Sequence, residues 1–276
     1  MKPGLSHFFP QDVLRITDTG SVDSILGICK ILHCKRPLRT METIPERIRT
    51  ELKNNCDKST QKNFQRFFKE EVRYYGVKAV IVRTIAKKYW EEIKTLDKQE
   101  IFNLCDELYC SDYCEEAFIA STWVPNLADR FDVADLALFR TWIEKYINNW
   151  AKCDGFCNHT IGTFVVMYPE CIGEIKRWTL SDNRWLKRAV AVSLIIPAKR
   201  GAFLDDTFEI ADLLQADRDD MVQKGYGWLL KEASRHHQDE VFLYILKNRS
   251  TMPRTALRYA IELMPPERRK EAMKRG

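Results

Sequence analysis

No stretch of this 276-residue chain approaches the roughly eighteen consecutive apolar residues of a membrane-spanning helix, so no membrane contact is expected. Met1 to Pro10 holds no apolar run of the kind a leader peptide carries. Glycine is scarce, at eleven residues, and no Gly-rich phosphate loop is present. A nucleophile elbow and a His-Glu-x-x-His zinc motif are missing too. These absences argue against nucleotide-dependent, serine-hydrolase and zincin chemistry, and no metal or other cofactor is expected. No run of period-two alternation stands out, which argues against a sheet. Nor does either sign of charge dominate. Lys and Arg exceed Asp and Glu by five, a surplus too mild to show a nucleic-acid partner by itself.

Cysteine is plentiful, with nine residues. An odd number without a leader fits a reducing, cytoplasmic location with buried free thiols. Cys105, Cys110 and Cys114, and likewise Cys153 and Cys157, lie at roughly helical spacing, which suits buried thiols better than zinc ligands. Cys29 and Cys34, with His33 between them, are too few for a metal site. Apolar residues make up 45% of the chain, enough for a real core. Charge is sorted along the sequence. Asn248 to Gly276 carries eight Lys/Arg against three Asp/Glu, whereas Glu100–Asp135 and Asp205–Asp220 are acidic. Such sorting can produce a basic face without a high overall charge.

Residues 1–40 mix Pro, Gly, Asp and Thr around one apolar stretch, Val22 to Leu32, and read as a loosely attached extension. From about Met41 helical patterns follow one another almost without a break. Pro45 stands in a first-turn position, and Lys62 to Lys69 reads as a short Phe-rich helix. Gly76 falls in a turn where positive φ is useful. Ala79 to Lys94 carries Arg83, Lys87 and Lys88 at helical spacings. Asp97–Cys114 and Glu115–Trp123 form the next pair, and Asp132–Asn148 has the apolar stripe Leu136, Phe139, Ile143 and Ile147. Asn149–Met167, Cys171–Trp178, Ser181–Ile196, Asp206–Leu214, Asp219–His236, Gln238–Lys247 and Pro253–Leu263 continue the series, with Pro197 expected to end the helix before it. Short loops between helices of this length predict an all-α solenoid of helical pairs, and no fixed repeat length is visible.

Three places could carry chemistry. Trp150 and Asp154 stand four apart, which puts both on one face of a helix. From spacing alone, Asp154 reads first as a solvated or capping residue, Asp154-Gly155 being a turn-like pair. Facing a groove, the same pair would suit a cation: an indole face attracts it, and a carboxylate stabilises charge that develops during a reaction. Trp228, flanked by Lys224 and Lys231, reads in isolation as core. In the helix from Ser181, Leu186, Ala189, Val190 and Leu194 face inward. Arg184, Lys187 and Arg188 are then expected along the other side, either solvated or in contact with phosphate.

These motifs, in this order, resemble those of the AlkD-like DNA alkylation repair glycosylases, which are built from HEAT-like helical repeats. Tyr74-x-Gly76-Val77 resembles the family's lead-in to a basic helix. Trp150-x-x-x-Asp154 falls on its lesion-holding pair, and Ser181 through Arg188 on its Ser-Asp-Asn-x-Trp-x-x-Arg. Gln223-Lys224-x-x-Gly227-Trp228-x-Leu230-Lys231-Glu232 matches a further stretch, with Lys231 replacing an Arg. Met252-Pro253-Arg254-x-x-Leu257-Arg258 is similar to the closing repeat. The resemblance spans about residues 45 to 265. It implies a HEAT-like solenoid over 41–276 whose concave groove holds double-stranded DNA containing alkylated bases. A monofunctional, monomeric glycosylase would there hydrolyse the N-glycosidic bond of cationic N3- and N7-alkylpurines such as 3-methyladenine and 7-methylguanine. Asp154 would be catalytic, and Trp150 and Trp228 would flank the lesion. Arg188, Lys187, Lys224, Lys231 and Arg254 would contact the DNA backbone. The alternatives are a non-catalytic binder of damaged or branched DNA and a protein-interaction scaffold.

Overall fold

The computed structural model describes residues 42–274, and the extension at 1–40, with Cys29, His33 and Cys34, lies outside them. The described residues are all-α and form a helical repeat. The helices are α1 (Ile44–Asn54), α2 (Lys58–Phe64), α3 (Ala79–Ile93), α4 (Lys98–Cys110), α5 (Cys114–Trp123), α6 (Asp135–Tyr146), α7 (Trp150–Phe156) and α8 (Gly162–Met167). They continue with α9 (Ile172–Arg177), α10 (Arg184–Ser193), α11 (Ile195–Lys199), α12 (Leu204–Leu214), α13 (Asp220–Ala233), α14 (Gln238–Asn248), α15 (Arg254–Ala260) and α16 (Pro266–Ala272). No helix among the described residues is long and apolar enough to cross a membrane.

Local sequence explains several of the starts. Thr43 and Glu46 form a capping box on α1, and Asp97 and Glu100 do the same on α4. Asn149 caps α7 through Lys152 N–H, and Asp219 caps α13 through Met221 and Val222 N–H. On α10 the cap is Asn183, not Ser181, whose hydroxyl instead accepts from Asn183 N–H. Pro197 does not end a helix. It sits in the first turn of α11, where a missing N–H costs nothing. The stripe Leu136, Phe139, Ile143 and Ile147 is buried along its length, as its spacing predicts.

Six of the helices form one continuous row. Along it α3 packs on α5, α5 on α7, α7 on α10, α10 on α13, and α13 on α15. Helices α1, α4 and α12 pack against this row. The row therefore places side chains from distant parts of the chain next to each other in a fixed order. Gly227 makes its last contact possible: a Cβ there would lie 2.6 Å from the Ala256 carbonyl oxygen and 2.8 Å from Tyr259 Cβ. The loop before α3 is fixed from α5. Buried Glu115 accepts N–H bonds from Tyr75, Gly76 and Val77 at 3.1, 2.8 and 3.1 Å. Gly76 has φ +86°, the left-handed conformation its place in the turn predicts.

Candidate active site

Helix α7 supplies the first two groups. Trp150 is its first residue and Asp154 lies one turn on, so the two share a face. After Phe156 the helix widens into a π turn, Cys157–Ile161, before α8 resumes. Such a widened turn is common beside functional sites. Here it adds to the row packing, because Gly162 brings the chain so close to α10 that a Cβ would lie 2.8 Å from the Ser193 carbonyl oxygen.

Asp154 faces α10. Arg188 Nε donates to its Oδ1 at 2.9 Å and Nη2 donates to Oδ2 at 2.8 Å, a two-pronged pair. Arg188 Nη1 donates onward to the Met221 carbonyl of α13 at 2.5 Å. Gly225 of α13 backs the guanidinium, its missing Cβ leaving 3.4 Å to Arg188 Cγ. Three helices are thus joined through one arginine. Burial pushes the Asp154 carboxyl up from its ordinary value, and the bonds and charge of Arg188 oppose that rise. Burial likewise opposes the charge on Arg188, but Asp154 outweighs it, and the net direction is up. Each carboxylate oxygen gives one lone pair to Arg188 and keeps another for a ligand or water.

Two aromatic groups flank this pair in the row. Trp150 is half-buried. Its Nε1 donates to the Phe67 carbonyl at 3.0 Å, and its ring stacks on Phe68 at 5.4 Å and 20°. Trp228 lies on α13 one turn beyond Gly225, also half-buried, with Nε1 donating to Glu232 at 3.3 Å. The row thus carries, from α7 to α13, an indole, a carboxylate held by a guanidinium, and a second indole. A model of the DNA alkylation repair enzyme family matches residues 48–264. The chain belongs to that family. Among solved structures, one described as a predicted DNA alkylation repair enzyme from Enterococcus faecalis is similar, with a TM-score of 0.69. The alignment has 15% identity and covers 77% of this chain and 98% of that one, a likeness that speaks for the fold. No curated protein matches the chain.

Against this family background, the structure corrects one placement. Arg188 does not lie with Lys187 on an exposed face. It is 5% exposed and committed to Asp154 and Met221. The physical reason is the partner: a carboxylate from α7 and a carbonyl from α13 satisfy the guanidinium inside the row. The other expected backbone cations range from half-buried to exposed, and each already has a partner. Lys187 pairs with Asp217 at 2.7 Å, Lys224 with Asp220 at 3.2 Å, and Lys231 with Glu262 at 3.2 Å. Arg254 is exposed and donates to the Met273 carbonyl at 3.2 Å. The cations therefore do not add up to a bare basic field.

The Phe-rich segment matters more than its sequence suggests. It reads as a short helix, Lys62–Lys69, yet α2 stops at Phe64 and a tighter turn follows over Gln65–Phe67. That turn brings Phe67 and Phe68 onto Trp150. Among the described residues no three His, Cys, Asp or Glu side chains gather as a metal site.

Proposed function

We propose that this chain is a DNA glycosylase that hydrolyses the N-glycosidic bond of cationic N3- and N7-alkylpurines in double-stranded DNA. The observation that carries the proposal is Asp154, a carboxylate held by Arg188 one turn from Trp150, in a chain of the DNA alkylation repair enzyme family. An alkylated purine of this class already carries positive charge and departs without being protonated. The protein's task is then to stabilise the cationic sugar that remains and to admit water. One carboxylate suffices for that, unlike ordinary glycoside hydrolysis, which uses two.

The row offers each part of this task. Trp150 and Trp228 present indole faces to a positively charged nucleotide. Asp154 supplies negative charge where the sugar becomes cationic, and it positions the attacking water. Arg188, being buried, orients Asp154 and favours its ionised form rather than contacting phosphate. Lys187, Lys224, Lys231 and Arg254 meet the phosphates of a duplex lying along a HEAT-like groove, which requires their present partners to yield. The product is an abasic site: the lysine two positions before Asp154 has another task. Lys152 is buried and donates to the Asp112 carbonyl, the Asp112 carboxylate and Asn148 Oδ1.

Incubation with methylated duplex DNA, followed by chromatography of the free bases, tests the reading. Release of 3-methyladenine or 7-methylguanine with abasic sites left in the duplex supports it. Tight duplex binding without release would assign the chain to damage binding instead.

A further inference from the structure

Residues Phe64 to Glu70 cross the ends of three row helices as a strap. None of the residues from Lys58 to Phe67 is buried, and of them only Phe64 packs on an apolar cluster, the small one made by Phe68, Val72 and Cys114. Its attachments are few and specific. On α7 the Phe67 carbonyl accepts from Trp150 Nε1 at 3.0 Å, and the Phe68 ring stacks on the indole at 5.4 Å. On α10, Arg184 Nη1 donates to Glu70 at 3.2 Å. On α13, Lys69 pairs with Asp220 at 2.7 Å. Phe68 is itself kept in place by Phe64, 5.1 Å away, and is 9% exposed, whereas the Phe67 ring is 69% exposed. The site therefore uses the carbonyl of Phe67 and the ring of Phe68.

We propose that this strap is a working part of the site: Phe68 and the Phe67 carbonyl position the Trp150 indole, and Lys69 and Glu70 latch them to α13 and α10. The proposal rests on the glycosylase reading for its effect on rate, but not for its effect on the indole. Trp150 is the first residue of its helix, with no preceding turn to confine its side chain. A half-buried indole in that place needs outside contacts to fix it. Stacking sets the plane of the ring, and the N–H bond sets which edge points to the strap. Misplacing a group that meets a reacting nucleotide by about 1 Å can lower a rate by about 10²-fold.

The latch also links the indole to duplex binding. Asp220 is shared, by Lys69 at 2.7 Å, by Lys224 at 3.2 Å and by Arg184 at 3.6 Å. Both lysines hold its carboxyl below the ordinary range, Lys69 the more strongly. When a phosphate draws Lys224 away, Asp220 remains neutralised by Lys69, with Arg184 further off, and the strap end is held more firmly than before. Engagement of DNA on α13 thereby tightens the element that aims the indole on α7.

The test uses the full chain labelled with 5-fluorotryptophan. The Trp150 fluorine resonance is assigned by its disappearance in Trp150→Phe. Phe68→Leu keeps an apolar side chain but removes the ring. It is expected to shift and broaden the Trp150 resonance and to lower single-turnover release of 7-methylguanine by about 10-fold, within the range for a misplaced group. The dissociation constant for duplex should stay within about twofold, because no phosphate contact is removed. Phe68→Tyr restores the ring and should restore both readouts. A second variant, Glu70→Gln, does not touch the indole and should still move its resonance through the latch. An unmoved Trp150 resonance in both Phe68→Leu and Glu70→Gln overturns the proposal. A parent protein that releases no base removes the glycosylase reading alone, since the resonance decides the positioning claim without DNA.

Discussion

Replacing Arg188 with Met separates two roles for the same residue. The substitution roughly keeps the length of the side chain and removes the guanidinium. The Arg188 side chain is 6% exposed and that of Asp154 15%, so the change leaves an uncompensated carboxylate inside the row. Breaking a buried pair from one side costs about 3–5 kcal/mol. At about 2–4 °C per kcal/mol for a domain of this size, the thermal transition should fall by about 6–20 °C. The lost stability should depend on pH in a definite direction. Burial raises the Asp154 carboxyl, and Arg188 is what opposes that rise. Without it the folded state holds a proton more tightly than the unfolded chain does. Stability is then lost as pH rises through the raised value, and the deficit shrinks as pH falls through it. The rate should follow the same group: activity needs the ionised carboxylate, so the acid limb of the single-turnover profile moves to higher pH. The salt dependence of duplex binding decides against the other role. A residue that contacts one phosphate contributes about 0.9 to the slope of log K against log salt. Arg188→Met should leave that slope unchanged when measured by fluorescence anisotropy between low and moderate salt. A slope reduced by about one, with an unshifted acid limb, would refute the positioning role and make Arg188 a phosphate contact.

Other outcomes follow from the row. Gly227→Ala puts a Cβ 2.6 Å from the Ala256 carbonyl oxygen, so α15 must move off α13. Overpacking of this kind costs about 1–3 kcal/mol, and a denaturation midpoint equal to the parent's would show that the contact is not tight. Asp217→Asn and Asp220→Asn free Lys187 and Lys224 from their carboxylates. Each should tighten binding to undamaged duplex and steepen its salt dependence, and weaker binding would show that these lysines do not face DNA. Trp228→Phe keeps an aromatic face but loses the bond to Glu232. It should retain most excision while Trp228→Ala loses it, and equal rates for the two would remove Trp228 from the site.

What the sequence made legible was whatever depends on near neighbours. The stripe of α6 follows from its own spacing, and so does the common face of Trp150 and Asp154. The turn at Gly76 and the first-turn position of Pro45 follow from the backbone preferences of single residues. The position of Arg188 was not legible, because a helical wheel places it beside Lys187 and does not know that a carboxylate waits on α7. Its burial is decided by a partner 34 positions upstream and a carbonyl 33 positions downstream. The neutralised cations share this cause: each of Lys187 and Lys231 meets an acid about thirty positions away, which no local count of charge includes. The strap was missed because its Phe residues look like the apolar face of a short helix, whereas a tight turn after Phe64 sends them to Trp150. Gly227 was visible as part of a motif, but its reason lies in α15, which packs on it.

The most direct measurement of the central claim is single-turnover release of 7-methylguanine from duplex DNA by the parent and by Asp154→Asn, with protein in excess so that product release cannot mask the step. The amide keeps the shape of the carboxylate and loses its full negative charge. Folded protein in each sample is quantified by its thermal transition, since Arg188 loses its counterion in the variant. The parent should release the base, and the variant should do so about 10²-fold more slowly or worse, the scale of one lost electrostatic stabiliser. Duplex affinity should change little. Release by Asp154→Asn at the parent's rate would contradict the account, because the carboxylate that α7 and α10 hold in place would then not be the group that acts on the sugar.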